Sequence, residues 1–215
     1  MAKILQVPVN PCPSLLEEIT HCVAHGGVLA VATESFYALA GSATHSEAIS
    51  RVARIKGGPN PKPILVLIGD LSQLAHFISS LPPPAIPLFD RFWPGPLTAV
   101  LPAHPGLSPD LTVGTGTIGV RQPGSTTLLS LLRGVGPLTG TSANRSGAPP
   151  PQTALEVQET LGDEVDLIID DGPTPGGKPS TVLSLFREIR IIREGPISKE
   201  EIRTALSSKG FTLAD

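Results

Sequence analysis

Six short clusters in this chain gather hydroxyls, amides and cations where a strand or helix gives way to a loop rich in Gly and Pro. Thr33 closes an apolar run and leads into Glu34-Ser35-Phe36-Tyr37. Lys56 ends a helical pattern and runs into Gly57-Gly58-Pro59-Asn60-Pro61-Lys62-Pro63. Arg121 ends the run Thr117–Arg121, and Thr141-Ser142-Ala143-Asn144-Arg145-Ser146-Gly147 follows another run. Gly176-Gly177-Lys178-Pro179-Ser180-Thr181 leads into a further run, and Arg193-Glu194-Gly195-Pro196 closes the last. Such groups suit a phosphorylated ligand: hydroxyls and amides position the phosphates, and Lys and Arg neutralise them. Ligands of open α/β sheets favour the carboxyl ends of strands, where most of these clusters fall. Taken singly, each cluster has a plainer explanation as a solvated charge, a dipole partner or a turn former. Two exceed it. The stretch 141–147 packs four hydrogen-bonding side chains and an Arg into seven residues, and Arg193 emerges behind Ile191-Ile192.

Other chemistries find little support. His21, His25, His45, His76 and His104 lack metal-ligand spacing apart from the isolated His21-x-x-x-His25 pair. That pair falls at the end of the first helical pattern and is expected to face solvent. No G-x-S-x-G elbow, Walker A loop or G-x-G-x-x-G fingerprint is present, and Gly114-Thr115-Gly116 lacks the third glycine. Asp163, Glu164 and Asp166 read as a solvated acidic turn, and Asp170-Asp171 before Gly172 as a turn former. Trp93 reads as a core or loop anchor, because aromatics make up only 4% of the chain.

The elements that must hold these clusters alternate in type. Capping-box pairs open four helical patterns: Ser14 with Glu17, Asp70 with Gln73, Thr153 with Glu156, and Ser198 with Glu201. Ser46 is expected to cap a helix ending at Gly57-Gly58, and a sixth helix starts near Ser125 and stops at Gly134. Strand-length apolar runs lie at 28–33, 64–68, 97–101, 117–121, 138–141, 165–170, 181–185 and 189–193. Several are apolar on consecutive positions, which suits strands covered on both faces. The pattern predicts an α/β protein with a mixed sheet flanked by helices. Neither Pro82-Pro83-Pro84 nor Pro149-Pro150-Pro151 separates stretches that could fold alone, so one domain over 1–215 is expected. The 215 residues are enough for a real core, and 40% hydrophobic residues at a net charge of −3 mark a globular chain. With 16 Lys and Arg against 19 Asp and Glu, no global basic field exists, and any anion site must be local. Cys12 and Cys22 are too few for a disulfide scaffold. No leader and no apolar run of about eighteen residues is evident, so a soluble cytoplasmic protein without a membrane partner is expected.

In this order the clusters resemble the YrdC-like family of L-threonylcarbamoyladenylate synthases. The resemblance runs from about Ser14 to Pro196. It rests on the stretches 26–37, 54–59, 62–64, 92–98, 119–123, 141–147, 179–182 and 192–195. Trp93-Pro94-Gly95-Pro96 and Ser142-Ala143-Asn144-Arg145-Ser146-Gly147 are the most specific of these. The resemblance implies a twisted mixed β-sheet with a central positive groove, the YrdC-like fold. It implies ATP, bicarbonate and L-threonine as substrates, and threonylcarbamoyl-AMP and pyrophosphate as products. Partner proteins would then pass the threonylcarbamoyl group to a tRNA adenosine next to the anticodon. By the same resemblance Thr33, Arg121 and Ser180 would hold threonine, and Lys56, Thr117, Ser142, Asn144 and Arg193 the ATP. Lys56, Ser142 and Asn144 would be catalytic, and Thr141 is a second-rank candidate beside Thr117. No protein metal site is implied, and Mg²⁺ would travel with ATP. The chain departs from the family pattern at Gly58, where a family Arg is expected, with Lys62 and Arg145 as the candidate cations for its place. The rival to an active synthase is a nucleotide- or RNA-binding relative with lost or altered catalysis, in contact with tRNA or double-stranded RNA. Net charge and few aromatics argue against tight nonspecific RNA binding. A third alternative is a related enzyme acting on another small amine or phosphorylated metabolite.

Overall fold

A computed structural model describes residues 1–7 and 12–214. Elements follow in the order β1 (Lys3–Gln6), α1 (Pro13–Ala24), β2 (Val28–Val31), β3 (Ala38–Gly41), α2 (Ser46–Lys56) and β4 (Val66–Leu67). A short 3-10 helix (Leu71–His76), α3 (Ala85–Phe92), β5 (Leu97–Pro102), α4 (Pro109–Thr112), β6 (Thr117–Arg121) and α5 (Thr126–Val135) come next. The chain closes with β7 (Leu138–Thr139), β8 (Thr141–Ser142), α6 (Ala154–Leu161), β9 (Leu167–Asp170), β10 (Thr181–Ser184), β11 (Arg190–Arg193) and α7 (Lys199–Ser207).

The α/β class holds, with the strands divided between two mixed sheets. Five run in the order β1-β9-β2-β3-β8 and six in the order β11-β10-β5-β6-β4-β7. Parallel pairs (β1 with β9, β2 with β9, β10 with β5, β4 with β6) are combined with antiparallel ones in both sheets. A bridge between Ser42 and Leu138 ties the two sheets together. Strand β2 is buried along its whole length, as its unbroken apolar run requires. Its Leu29 and Val31 pack with Ile19 and Val23 of α1 and Leu128, Leu131 and Leu132 of α5. Val28 and Ala30 point the other way, into the larger core that reaches from Ala2 to Leu213. Among the described residues no helix is long and apolar enough to cross a membrane.

Several local expectations change. Cys12, not Ser14, holds the N-cap position of α1 without a side-chain cap, and His45 replaces Ser46 in the same way at α2. Pro13 at the first helical position leaves α1 without one of the N–H groups a cap would serve. Asp70 caps a 3-10 helix, and Gln73 accepts from Gly69 N–H. Helix α5 runs one residue past Gly134 and ends at Gly136, whose φ of 88° suits glycine. The Ser198–Glu201 capping box forms as expected. Strands β1 and β3 and helices α3 and α4 are additions to the sequence reading. At α3 the three prolines read as a boundary start a helix instead. Pro84 is its N-cap and Pro87 lies in the first turn, where a missing N–H costs no helical bond. Pro151 accepts a hydrogen bond from Tyr37 N–H, so that proline run is tied into the fold as well.

Candidate active site

Period-two alternation turns one face of the six-stranded sheet into the floor of a groove of about 1130 Å³. Along β6, Thr117, Gly119 and Arg121 face the groove, while Ile118 and Val120 enter the core. Thr98 and Val100 of β5 do the same against Leu97, Ala99 and Leu101. Four cations, Lys56, Lys62, Arg121 and Arg193, line the groove against one carboxylate, Asp110. Asp110 is itself engaged by the Ser50 hydroxyl at 2.6 Å.

At one wall, Lys56 leaves the last turn of α2 and reaches the loop after β8. Its ammonium donates to Ser142 O at 2.8 Å, Asn144 O at 2.6 Å and Asn144 Oδ1 at 2.9 Å, with Ser142 Oγ at 3.3 Å. Three N–H donors therefore serve four oxygens. Ser142 Oγ also donates to Asn144 Oδ1, and Asn144 Nδ2 reaches Ala148 O, so the loop is drawn around the ammonium. Burial, together with the charge of Lys62, pulls the Lys56 pKa down to about 8. Gly58 lies over this loop. A Cβ there would meet Ser146 Cβ at 3.1 Å, and its φ of 98° is a left-handed conformation that favours glycine.

At the opposite wall, the Arg193 guanidinium donates to Ser180 O at 2.8 and 3.2 Å and to Ser180 Oγ at 3.1 Å. Ser180 Oγ shares a further hydrogen bond with Thr98 Oγ1 at 2.9 Å. Only glycine allows the chain to close here: a Cβ on Gly195 would sit 2.3 Å from Thr181 N and 2.4 Å from Pro179 O. Arg121 is 5% exposed. Its Nε donates to Gly95 O at 3.2 Å and its Nη2 pairs with the Glu34 carboxylate. Burial and the neighbouring Arg121 charge lower the Arg193 pKa.

The groove thus collects Thr33, Lys56, Thr117, Arg121, Thr141, Ser142, Asn144, Ser180 and Arg193 from elements scattered along the chain. Thr33 arrives with its hydroxyl already in use. It donates to Phe36 O at 2.7 Å and accepts from the N–H groups of Ser35 and Phe36, forming the turn after β2. Arg145 stays outside the groove lining, held by Glu164 at 2.6 Å, whereas Lys62 is inside it. Glu164 and Asp166 are therefore engaged rather than free in solvent. Asp166 accepts from Arg51 at 2.9 Å and from Val28 N–H at 2.7 Å. Asp170 accepts from Gly172 N–H, as its turn role requires, and from the buried Tyr37 hydroxyl. The His21 and His25 rings stack at 4.2 Å on the surface. Trp93 is an anchor, stacked on Phe89 at 3.7 Å and donating to Leu97 O. Sequence reasoning gave no role to Glu34 or Thr98, which act behind Arg121 and Ser180. Only their nearness in the fold singles them out.

Residues 21–195 match the family profile Sua5_yciO_yrdC, described as telomere recombination. A threonylcarbamoyl-AMP synthase of Bacillus subtilis is 40% identical over 182 residues, 83% of this chain, and the chain spans about half (53%) of that relative's length. The threonylcarbamoyl-AMP synthase of Idiomarina loihiensis is 32% identical over 78% of this chain and 91% of its own. Among solved structures, Pyrococcus abyssi Sua5 complexed with L-threonine superposes with a TM-score of 0.88 at 32% identity, over 94% of this chain and 60% of that one. Escherichia coli YciO superposes with a TM-score of 0.83 at 28% identity, over 94% of this chain and all of its own.

Proposed function

The chain belongs to the Sua5/YciO/YrdC family, and from that premise we propose that it makes threonylcarbamoyl-AMP and pyrophosphate from ATP, bicarbonate and L-threonine. The observation that carries this is the division of one groove into two walls. Arg121, Arg193 and Ser180 stand at one, and Lys56, Ser142 and Asn144 at the other, with Thr33 and Thr117 also lining the groove. A groove of about 1130 Å³ has room for a nucleotide and an amino acid together, since small-ligand sites typically measure about 300–1,000 Å³.

In this assignment the free end of the Arg121 guanidinium receives the threonine carboxylate, a pairing its planar donors suit. The threonine amine attacks bicarbonate, water is lost, and a carbamate forms. A carbamate oxygen then attacks the α-phosphorus, and pyrophosphate leaves with the electron pair of the broken P–O bond. The protein contributes proximity and fixed positive charge against the charge that develops on the phosphates. Lys56 shapes the Ser142–Asn144 loop for the nucleotide, and Lys62 supplies the cation that Gly58 lacks. The hydroxyl and amide oxygens of the groove fit a Mg²⁺ carried in by the triphosphate better than one caged by the protein. Such an ion would offset phosphate charge. The product would pass to proteins that modify a tRNA adenosine next to the anticodon. The test is pyrophosphate release by the purified protein, with threonine and bicarbonate each omitted in turn. Release that needs both supports the proposal, and release indifferent to threonine refutes it.

A further inference from the structure

Arg121 is the most deeply buried cation of the groove, and a buried guanidinium persists only with an anion beside it. Its partner is Glu34, whose carboxylate pairs with Nη2 and whose Oε1 also accepts from Gly124 N–H at 2.9 Å. Two fixed points hold that carboxylate in place. The Thr33 hydroxyl ties the turn 33–36 by accepting from Ser35 and Phe36 N–H, and Gly124 lies in the loop that starts α5. The second carboxylate oxygen, Oε2, is buried and has no hydrogen-bond partner among the described residues. Glu34 does not line the groove but stands on the far side of Arg121, facing a small recess formed with Asp171 and Thr174. With Gly95 O on Nε and the Glu34 carboxylate against Nη2, one edge of the guanidinium faces protein groups. Nη1 has no partner among the described residues, and it belongs to the end left for the groove.

We propose that Glu34 is a positioning residue. It holds the Arg121 guanidinium with its free end toward the groove, ready for the substrate carboxylate. The assignment rests on the threonine role of Arg121 proposed above. Without Glu34 a nearly buried guanidinium loses its counter-charge while Arg193 stands close by, so it turns away from both and loses its fixed direction. Removing a charge-assisted partner of this kind is expected to weaken threonine binding about tenfold or more. ATP binding, which does not run through Arg121, stays within about twofold.

Calorimetric titration of threonine and of ATP tests this on the wild type, Glu34→Gln, Arg121→Lys and the double variant. Gln keeps the shape and an oxygen for Gly124 N–H but lacks the charge. A melting curve accompanies each protein, and Glu34→Asp serves where Glu34→Gln fails to fold. The expected result is a selective threonine loss in Glu34→Gln that shrinks below about twofold in the Arg121→Lys background, because the residue acts through Arg121. A threonine affinity unchanged from wild type overturns the proposal. So does an equal loss for ATP, or a loss that persists undiminished in the Arg121→Lys background. A wild type that binds ATP but no threonine overturns the proposed synthase function itself, an outcome visible before any variant is made.

Discussion

Raising the pH through 8 should weaken ATP binding while making the folded chain more stable. The perturbed group is the Lys56 ammonium, whose pKa burial and Lys62 bring down to about 8. About nine in ten ammoniums are then charged at pH 7 and about one in ten at pH 9. A neutral amine offers two N–H donors where four oxygens of Ser142 and Asn144 stand, and no charge for a phosphate. If binding needs the charged form, the apparent Kd for ATP rises about tenfold between pH 7 and pH 9, with a bend near 8. Stability moves the other way. The folded-state value lies below the 10.5 of free lysine, so the unfolded chain holds this proton more tightly. Lys56 therefore adds stability as pH rises from about 8 toward 10.5. Calorimetric ATP titration is the right measure, because the threonine α-amine titrates in a nearby range and would obscure turnover. Lys56→Met, which cannot titrate, is the control and should show no bend. An ATP affinity flat to pH 9.5 in the wild type, or a bend that survives in Lys56→Met, would refute the role given to this ammonium.

Three further outcomes are expected. Gly58→Arg should lower stability by about 1–2 kcal/mol, the cost of a left-handed conformation for a residue with a Cβ, or roughly 2–8 °C in Tm; an unchanged melting curve would mean the loop relaxes freely. Arg121→Lys should weaken threonine binding about tenfold or more through loss of the planar fork, with ATP binding little changed. Lys62→Gln should weaken ATP binding several-fold and Arg145→Gln should leave it unchanged, about a kcal/mol being expected for one exposed cation at a phosphate; the reverse order would show that Arg145 leaves Glu164 to fill the place of the missing cation.

Much of the fold was legible because it rests on local pattern. The run 117–121 is a strand from end to end, and Ser125, Thr153 and Ser198 cap the helices they precede. Strand β3 escaped because Ala38–Gly41 is short, small and Gly-ended. It is a strand through pairing with β2 and β8, which is tertiary information. Helix α3 is not legible because a proline run marks a boundary as readily as a helix start, and only the fold puts Pro84 at the N-cap and Pro87 in the first turn. The side chains of the groove could be nominated from residue type at strand ends, since alternation along β6 already sets Thr117 and Arg121 on one face. Which donors remain free could not be read. That depends on contacts between residues 86 apart for Lys56 and Ser142, or 87 apart for Glu34 and Arg121.

The residues of the groove separate by whether their donors are already spent. Thr33 gives its proton to Phe36 O, Lys56 distributes its ammonium over the 142–144 loop, and Arg193 donates to Ser180. These bonds satisfy groups that would otherwise be half-buried and unpaired, so the groove keeps its shape without a ligand. A site that is already in position loses less order when it binds. Among the donors left for a ligand are Nη1 of Arg121, with no partner among the described residues, and the exposed Lys62 ammonium across the groove. One is a directional fork fixed from behind by Glu34 and Gly95. The other is a compact point charge on a loop of prolines. A planar carboxylate suits the first and a polyphosphate the second, as the proposed threonine and triphosphate require. This division, rather than the number of cations, is what supports the proposed use of the site for two dissimilar substrates, one met through its carboxylate and the other through its phosphates.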